Sequence, residues 1–199
     1  MQYPLIIASS NQGKIKEFAQ MLQKTPFNIL SANSIGGMPA VEETGSSFLE
    51  NAIIKAQALQ ALAPEGHWVL ADDSGLSVDA LNGAPGVRSA RYAGEQASDA
   101  DNCAKLLAAL SQNPSANRQA HFECALCLID DRGRHSYFTG ACTGQIAAEA
   151  QGTHGFGYDP LFIPDGYTTT FGVLDKQIKA KISHRAQACE HFTASFVDF

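Results

Sequence analysis

The sequence contains no apolar run near the roughly 20 residues that a membrane-spanning helix requires. Its first residues, MQYPLIIASSNQGK, lack the basic region and the long apolar segment of a secretory signal peptide. Cysteine is scarce and odd in number, with five residues in 199, which favours free thiols and a reducing compartment over a disulfide framework. We therefore expect a cytoplasmic protein with no membrane partner.

Basic residues are in the minority. The 14 Lys and Arg against 20 Asp and Glu give a formal net charge of −6. This balance argues against a nucleic-acid polymer as partner, because phosphate backbones attract clustered Lys and Arg. A small anion complexed with a metal is still a possible ligand, since the local charge at a pocket matters more for binding than the net charge of the protein. With 45% hydrophobic residues, the chain can bury roughly 70% of its unfolded surface without disulfides or a structural metal.

The first half of the chain alternates strand and helix patterns. Short apolar runs predict strands at residues 4–9, 27–32 and 67–71, and apolar residues at helical spacing predict helices at 13–24 and 46–63. This order is typical of an α/β fold. The third strand is expected to deliver Asp72 and Asp73 at its carboxyl end.

The second half predicts a loop, a helix, a hairpin and a final helix. Ser98 and Asp101 resemble a capping box, and the helix they open is expected to run to Leu110. The sequence contains no repeats or flexible linkers, so we predict one domain over residues 1–199. The remaining predicted elements are a loop at 82–94, a long hairpin at 118–130 and 135–142, a further strand at 145–150, and a helix at 183–196.

The CALC segment at residues 124–127 suggests zinc, but its surroundings do not. HFECALCLI has the pattern of a strand, in which residues three apart face opposite sides of the sheet. No second CxxC pair exists in the sequence. We therefore expect buried thiols at these positions.

Four carboxylates lie near predicted element boundaries. Glu42 and Glu43 precede the second helix, and Asp72 and Asp73 follow the third strand. Together they offer the hard oxygen ligands that Mg²⁺ prefers beside substrate phosphates. Simpler explanations exist for each pair, because glutamates suit the start of a helix and a surface turn accommodates two aspartates.

Two further segments combine polar groups with glycine or a helix start. SSNQGK, at residues 9–14, offers helix-start amides and a lysine to an anion, although an ordinary N-capped turn explains it too. It is not a Walker A loop. GFGYDPLF, at residues 155–162, lets the backbone approach a ligand and can stack an aromatic ring on a base, or it is a tight aromatic turn.

Polar and charged residues on two predicted helices are also candidates for a binding site. Asn51 and Lys55 share a helix face that suits a cleft or, equally, solvent. In KAKISHRAQA, Ser183 is explained as a helix N-cap. His184 and Arg185 in the first turn oppose the helix dipole, which indicates an anionic or hydrogen-bonding ligand.

These segments occur together in the order of one known family. SSNQGKIKE, EETGSSFLENAIIKA, LADDSGLSVDALNGAPGVRSARYAG, GFGYDPLF and the Lys179–SHRAQA stretch resemble the Ham1/RdgB-type inosine triphosphate pyrophosphatases from about residue 5 to 190. The resemblance implies a two-lobed α/β fold, with an elongated mixed sheet flanked by helices and the active site in the groove between lobes. It further implies a homodimer that hydrolyses ITP, dITP or XTP to the monophosphate and pyrophosphate with Mg²⁺, cleansing the nucleotide pool.

The resemblance also assigns roles by position. Asp73 would be the base for the attacking water and, with Glu42, a metal ligand; residues alone do not separate Glu42 from Glu43. The triphosphate would lie on Ser9, Ser10, Asn11, Gln12, Gly13 and Lys14, with Lys55 and Ser74 along the phosphate channel. The remaining contacts to phosphates and base would come from Phe156, Gly157, Tyr158, Asp159, Lys179, His184 and Arg185.

The chain departs from the family pattern at three places. His154 replaces a glycine before GFGYD, Val173 lies where an acidic residue is usual, and Arg88 replaces an aromatic residue. None of these removes an expected catalytic group, but they affect expected loop conformations and dimer contacts.

Three other functions fit parts of the sequence. An aspartyl-phosphate phosphatase would use Asp72 or Asp73 as nucleophile, but such enzymes generally have a D-x-D spacing that DDSG lacks. A non-catalytic nucleotide sensor is disfavoured by Asp73 and the lysines. A pyrophosphatase that prefers pyrimidine triphosphates is the third alternative.

Overall fold

The computed structural model describes residues 2–113 and 115–196. Strands and helices alternate through the first half of the chain, as the sequence predicts. The strands are β1 (Tyr3–Ala8), β2 (Phe27–Ser31), β3 (Trp68–Val78), β4 (Gln119–Ile129), β5 (His135–Ile146) and β6 (Phe162–Pro164). The helices are α1 (Gln12–Met21), α2 (Phe48–Gln60), α3 (Asp99–Ser111), α4 (Lys176–Ile182) and α5 (His184–Ala194).

The six strands form one mixed sheet in the order β2-β1-β3-β4-β5-β6. β1 pairs in parallel with β2 and β3, whereas β5 and β6 are antiparallel. Helices flank this sheet, so the α/β fold class predicted from the sequence is confirmed.

The chain divides into two compact units within the described residues. The first unit contains residues 2–73, 124–140 and 185–196, and the second contains 74–123 and 141–184. β3, β4 and β5 contribute residues to both units. Two units agree with the two lobes that the family resemblance implies.

In the first unit both faces of the strands are covered by helices. Leu70 of β3 belongs to the apolar cluster that includes Phe18 of α1 and Phe192 of α5. The neighbouring Val69 belongs instead to the cluster around Leu59 of α2. Successive strand residues point to opposite faces. Alternate side chains of β3 therefore contact different helices.

The second unit has its own core, built on α3 and the far ends of the long strands. Leu106 of α3 packs in the cluster with Leu76 of β3, Phe122 of β4 and Phe162 of β6. The rings of Phe122 and Phe162 meet edge to face at 4.7 Å between centroids, a geometry that aromatic pairs favour.

Local signals explain where α2 and α3 begin. The Ser47 hydroxyl accepts the Glu50 N–H at the start of α2, and Ser98 and Asp101 form a complete capping box at the start of α3. The capping box satisfies two amides that the helix itself leaves unpaired. The capping box predicted from the sequence is confirmed.

Several predicted boundaries are wrong. β3 continues to Val78, so Asp72 and Asp73 lie in its middle rather than at its end. No separate strand covers 145–150, because β5 itself runs to Ile146. Ser183 ends α4, a helix that was not predicted, directly before α5. β6 was also missed.

Among the residues that the structure describes, no helix combines the length and apolar character needed to cross a bilayer.

Candidate active site

The adjacent aspartates of β3 point in opposite directions, which resolves the apparent repulsion between them. Asp72 contacts Lys14 of α1 and Arg185 of α5. Asp73 contacts Asn51 and Lys55 of α2, on the other face of the sheet. Each carboxylate therefore contacts its own cations, because successive side chains of a strand point to opposite faces. The charges of Lys14 and Lys55 nevertheless act on both carboxylates.

Asp72 is the centre of a buried charge network. Its carboxylate accepts hydrogen bonds from the Lys14 ammonium and, at 3.1 Å, from Arg185 Nε, while Arg185 Nη1 binds Glu17. Burial by itself would raise the pKa of Asp72, but Arg185 and Lys14 outweigh it and hold that pKa well below its usual range. Asp72 is therefore ionised at neutral pH.

Asp73 occupies a different environment. Lys55 Nζ lies 2.6 Å from Asp73 Oδ1 and 3.3 Å from Glu43 Oε1, and Asn51 Nδ2 lies 3.3 Å from Asp73 Oδ2. Burial raises the pKa of Asp73, Lys55 partly opposes this, and the Glu43 charge adds to the rise. Burial would lower the pKa of Lys55, but the facing carboxylates raise it above its usual value. A buried carboxylate with a raised pKa is a stronger base than an ordinary aspartate.

Asn51 connects Asp73 to the loop that precedes α2. Its Oδ1 accepts the Gly45 N–H at 2.8 Å, while its Nδ2 faces Asp73. A Cβ atom on Gly45 would collide with the Asn51 side chain, so the backbone approaches closely only because residue 45 is glycine. This contact fixes the end of the segment that carries Glu42 and Glu43.

Glu42 and Glu43 differ in their surroundings. Glu43 is half-buried and forms an ion pair with Lys55, whereas Glu42 is exposed. Within the described part of the chain, the Glu42 carboxylate makes no hydrogen bond or ion pair. It is therefore the more available oxygen donor of the two.

The predicted anion-binding segment begins α1 as expected. Asn11 caps the helix, and its Oδ1 accepts the N–H groups of Gly13 at 2.8 Å and Lys14 at 3.2 Å. Ser9 Oγ accepts the Asn11 N–H at 3.1 Å. Two amides expected to attract an anion are thus held by the cap, while Ser10 and Gln12 are exposed.

In the second unit, Asp159 organises the GFGYD segment. Its Oδ2 accepts the Phe156 N–H at 2.9 Å and a hydrogen bond from Lys179 Nζ at 2.6 Å. A Cβ atom on Gly155 would collide with this carboxylate. Lys179 Nζ also lies 4.7 Å from the centre of the Phe156 ring, a distance at which a cation is attracted to an aromatic face.

Other predicted residues of the second unit are anchored as firmly. The Tyr158 hydroxyl donates to the Ser89 carbonyl at 2.9 Å, and burial raises the pKa of that hydroxyl. The buried His184 ring stacks on Phe122 with 4.8 Å between ring centres. Ser74 is half-buried in β3.

The predicted residues thus fall into two groups, one in each unit. The first unit brings together Lys14, Lys55, Asp73 and Arg185, and the second brings together Phe156, Asp159 and Lys179. Sequence reasoning placed Asn51 on a helix face that suits a cleft and counted Asp72 among four possible Mg²⁺ ligands, and it missed the pairing of Glu17 with Arg185. Glu17 and Arg185 lie 168 residues apart in the chain, and no local pattern signals such a pair.

The cysteines are buried and unbridged. Cys124 and Cys127 belong to the clusters on opposite faces of the sheet, as their spacing in a strand predicts. Cys124 Sγ lies 3.5 Å from Asp72 Oδ2; burial and this negative charge raise the pKa of the thiol. A thiol with a raised pKa is a poor metal ligand and a poor nucleophile.

Comparison with known proteins identifies relatives over nearly the whole chain. The Ham1 family model matches residues 5–195. A dITP/XTP pyrophosphatase of Exiguobacterium sibiricum is 47% identical over 98% of both chains, and one of Opitutus terrae is 45% identical over 92% of this chain and 94% of its own.

Solved structures agree with this assignment. A HAM1 protein from Coxiella burnetii superposes with a TM-score of 0.89, at 39% identity, over the full length of both chains. The Staphylococcus aureus Ham1 protein gives a TM-score of 0.84 at 41% identity over 97% of each chain. Because sequence and fold agree from one end of the match to the other, the chain belongs to the Ham1 family.

Proposed function

We propose that the protein hydrolyses non-standard purine nucleoside triphosphates (dITP, ITP and XTP) to the nucleoside monophosphate and pyrophosphate, in a reaction that depends on Mg²⁺. The observation that carries this proposal is the buried Asp73 of β3, which contacts Lys55 and Asn51 of α2. Relatives with the name dITP/XTP pyrophosphatase align with the chain across that region.

The carboxylates near Asp73 fit a magnesium ion bound together with substrate. The described residues hold no group of three or more His, Cys, Asp or Glu side chains placed to bind a metal. Mg²⁺ at phosphate sites commonly takes one or two carboxylates and fills its other positions with substrate oxygens and water. Asp73 and Glu42 meet that count, and the raised pKa of Asp73 indicates a place where an added positive charge is stabilised.

When bound, the ion would neutralise phosphate charge and make a nearby water more acidic. Asp73 would orient that water and take its proton as the oxygen attacks the α-phosphorus and the bond to the pyrophosphate breaks. Lys14 and Lys55 would stabilise the charge that develops on the departing pyrophosphate. In this scheme water attacks directly, and no covalent intermediate forms.

Asp72 would serve this reaction indirectly. Its carboxylate lies fully within the network of Lys14 and Arg185, which leaves it no approach to phosphorus and argues against an aspartyl-phosphate mechanism at this residue. Its proposed role is to hold the Lys14 ammonium, at the start of α1, in a fixed position.

The residues of the second unit would recognise the base. Phe156 would stack on the purine, and donors from the GFGYD segment would face the 6-oxygen of hypoxanthine or xanthine. Adenine has a 6-amino group there, and a buried mismatch of this kind can discriminate by ~10⁴ or more. Lys179 and His184 would complete the contacts to the nucleotide.

We further propose that the protein works as a homodimer in the cytoplasm and as one catalytic domain over residues 1–199. Five unbridged, buried thiols support a reducing compartment.

The decisive experiment is a substrate panel. Purified protein with Mg²⁺ is incubated with ITP, XTP, dTTP, UTP, ATP and GTP, and pyrophosphate release is measured. We expect release from ITP and XTP far above the others. Unchanged ITP would favour a nucleotide sensor, preference for dTTP or UTP would favour a pyrimidine pyrophosphatase, and a trapped phospho-aspartate would favour the phosphatase mechanism.

The role of Asp73 has its own test. Asp73→Asn keeps the side-chain volume but cannot accept the proton from water, so turnover should be abolished while ITP binding is retained. Turnover within tenfold of wild type would refute the assigned role.

A further inference from the structure

Residues near the start of α3 form hydrogen bonds with the backbone of Gly157, in the GFGYD segment. Asp99 Oδ2 accepts the Gly157 N–H at 2.6 Å. Cys103, four residues along the helix, directs its thiol to the Gly157 carbonyl oxygen at 3.5 Å. Residues four apart share a helix face, so α3 holds both polar backbone groups of Gly157 from one side.

Gly157 lies between the two aromatic residues of the segment and has a left-handed backbone, with φ of +61°. The flanking residues are fixed independently, since Asp159 accepts the Phe156 N–H and Tyr158 donates to Ser89. The Gly157 amide is the remaining donor between them, and its partner is Asp99. The Gly157 peptide group next to Phe156 is therefore oriented by that hydrogen bond, which acts beside the bond from the Phe156 N–H to Asp159.

α3 is a firm base for this contact. Its capping box satisfies the first amides of the helix, and Leu106 and Leu110 are buried in the core of the second unit. Asn102 accepts the Ala93 N–H at 2.7 Å and donates to the Ala90 carbonyl at 3.2 Å. The helix start is thus tied to a second loop as well as to the core.

Asp99 has one other structural role, as an acid in the first turn of α3 that suits the positive end of the helix dipole. It is exposed, and the capping box uses Ser98 and Asp101 rather than Asp99. A carboxylate that accepts a backbone N–H makes a stronger hydrogen bond than a neutral acceptor does. Its hydrogen bond therefore joins the first turn of α3 to the GFGYD segment.

We infer that Asp99 is a positioning residue for base selection: through the Gly157 amide it sets the place of the Phe156 ring and of the backbone donors beside it. This inference rests on the proposed function. Asp99 does not touch the substrate, and it acts by holding the loop in the arrangement that binds the purine. Loss of the contact should weaken binding and selectivity more than it slows the chemical step.

The structural half of the test needs no substrate. Hydrogen exchange of the Gly157 amide is measured by NMR in wild type, Asp99→Ala, Asp99→Asn and the matched control Asp101→Asn. This control removes an acid from the same helix turn, while its amide oxygen can still accept the Ser98 N–H and O–H of the capping box. We expect rapid exchange in Asp99→Ala, partial protection in Asp99→Asn because its amide oxygen still accepts, and wild-type protection in Asp101→Asn. Equal exchange in wild type and Asp99→Ala overturns the inference.

The functional half uses steady-state kinetics with ITP and ATP, whose bases differ at the 6-position. We expect Asp99→Ala to lose about tenfold in kcat/KM for ITP, mostly through KM, with a smaller ratio of kcat/KM for ITP to kcat/KM for ATP. Asp99→Asn should recover most of both, and Asp101→Asn should match wild type. An unchanged ITP to ATP ratio in Asp99→Ala overturns the inference, as does an equal loss in Asp99→Ala and Asp101→Asn. Absence of turnover in the wild type would instead refute the proposed function and leave the exchange result to decide the role of Asp99.

Discussion

Replacing Asp72 with asparagine tests the buried charge network more directly than any other change. The side chain of Asp72 is 0% exposed and that of Arg185 is 1% exposed. Asparagine fills the same volume, so the variant leaves no cavity, but it removes the negative charge between Lys14 and Arg185. Removing one partner of a buried ion pair typically costs about 3–5 kcal/mol, because the remaining charge is left without compensation.

This cost should be visible in unfolding experiments. For a chain of this size, each kcal/mol lowers the melting temperature by roughly 2–4 °C, so Asp72→Asn should melt about 6–20 °C below wild type. Urea unfolding can be followed by the fluorescence of Trp68, which is the single tryptophan and is buried at the start of β3 in the first unit. Glu95→Gln is the control, since Glu95 is exposed and lies 3.8 Å from Arg91, and this variant should change stability by less than about 0.5 kcal/mol.

The pH dependence supplies a second criterion. The pKa of Asp72 in the folded protein lies below its ordinary value of 3.8. Its contribution is therefore fully present above that ordinary value and is lost as the pH falls toward the lower folded value. The difference in unfolding free energy between wild type and Asp72→Asn should stay constant near neutral pH and narrow below about pH 4. A difference under about 1 kcal/mol at pH 7 would refute the reasoning.

Two further predictions concern the environment of Asp73. Lys55→Met removes the cation that opposes the rise in the pKa of Asp73, so the acid limb of the pH profile of kcat/KM should move to higher pH. Lys55→Arg keeps the cation and should leave this limb in place. If the limb does not move in Lys55→Met, Asp73 is not the titrating base. Glu42→Gln should raise the Mg²⁺ concentration needed for half-maximal ITP turnover at least tenfold, and Glu43→Gln should change it less, because Glu43 is already paired with Lys55. The reverse order of these two effects would transfer the metal role to Glu43.

The sequence predicted the architecture of the first half well, because the spacing of apolar residues along each segment indicates whether it forms a helix or a strand. The α1 and α2 stripes and the apolar runs of β1 and β2 all match the structure. The end of β3 was misplaced because Ser74 and Gly75 have the composition of a turn, although Leu76 and Val78 continue the alternation into the second core. β6 has only three residues and ends in a proline, too short for a periodic pattern to form.

The candidate site was predictable only in part. Local pattern and family resemblance together pointed to Asp73 and Lys55, and the helical spacing of Asn51 and Lys55 placed them on one face. The other contacts that organise the site join segments that are distant in the sequence. Arg185 lies 113 residues from Asp72, and Asp99 lies 58 residues from Gly157. Such pairs follow from the packed core, and no spacing along the chain reveals them.

The placement of the two aspartates on one strand makes their charge environment a matter of ladder register. β1 and β3 align Ile7 with Leu70 and Ala8 with Ala71, and a slip of one residue in such a ladder turns every following side chain over. Deleting Ala71 alone would swing the carboxylate of Asp73 toward α1 and that of Asp72 toward α2, with every charged group still present in the chain. The variant would keep every charged residue but change which cations each carboxylate meets, so the parallel pairing of β1 with β3 sets the charge environment of both aspartates.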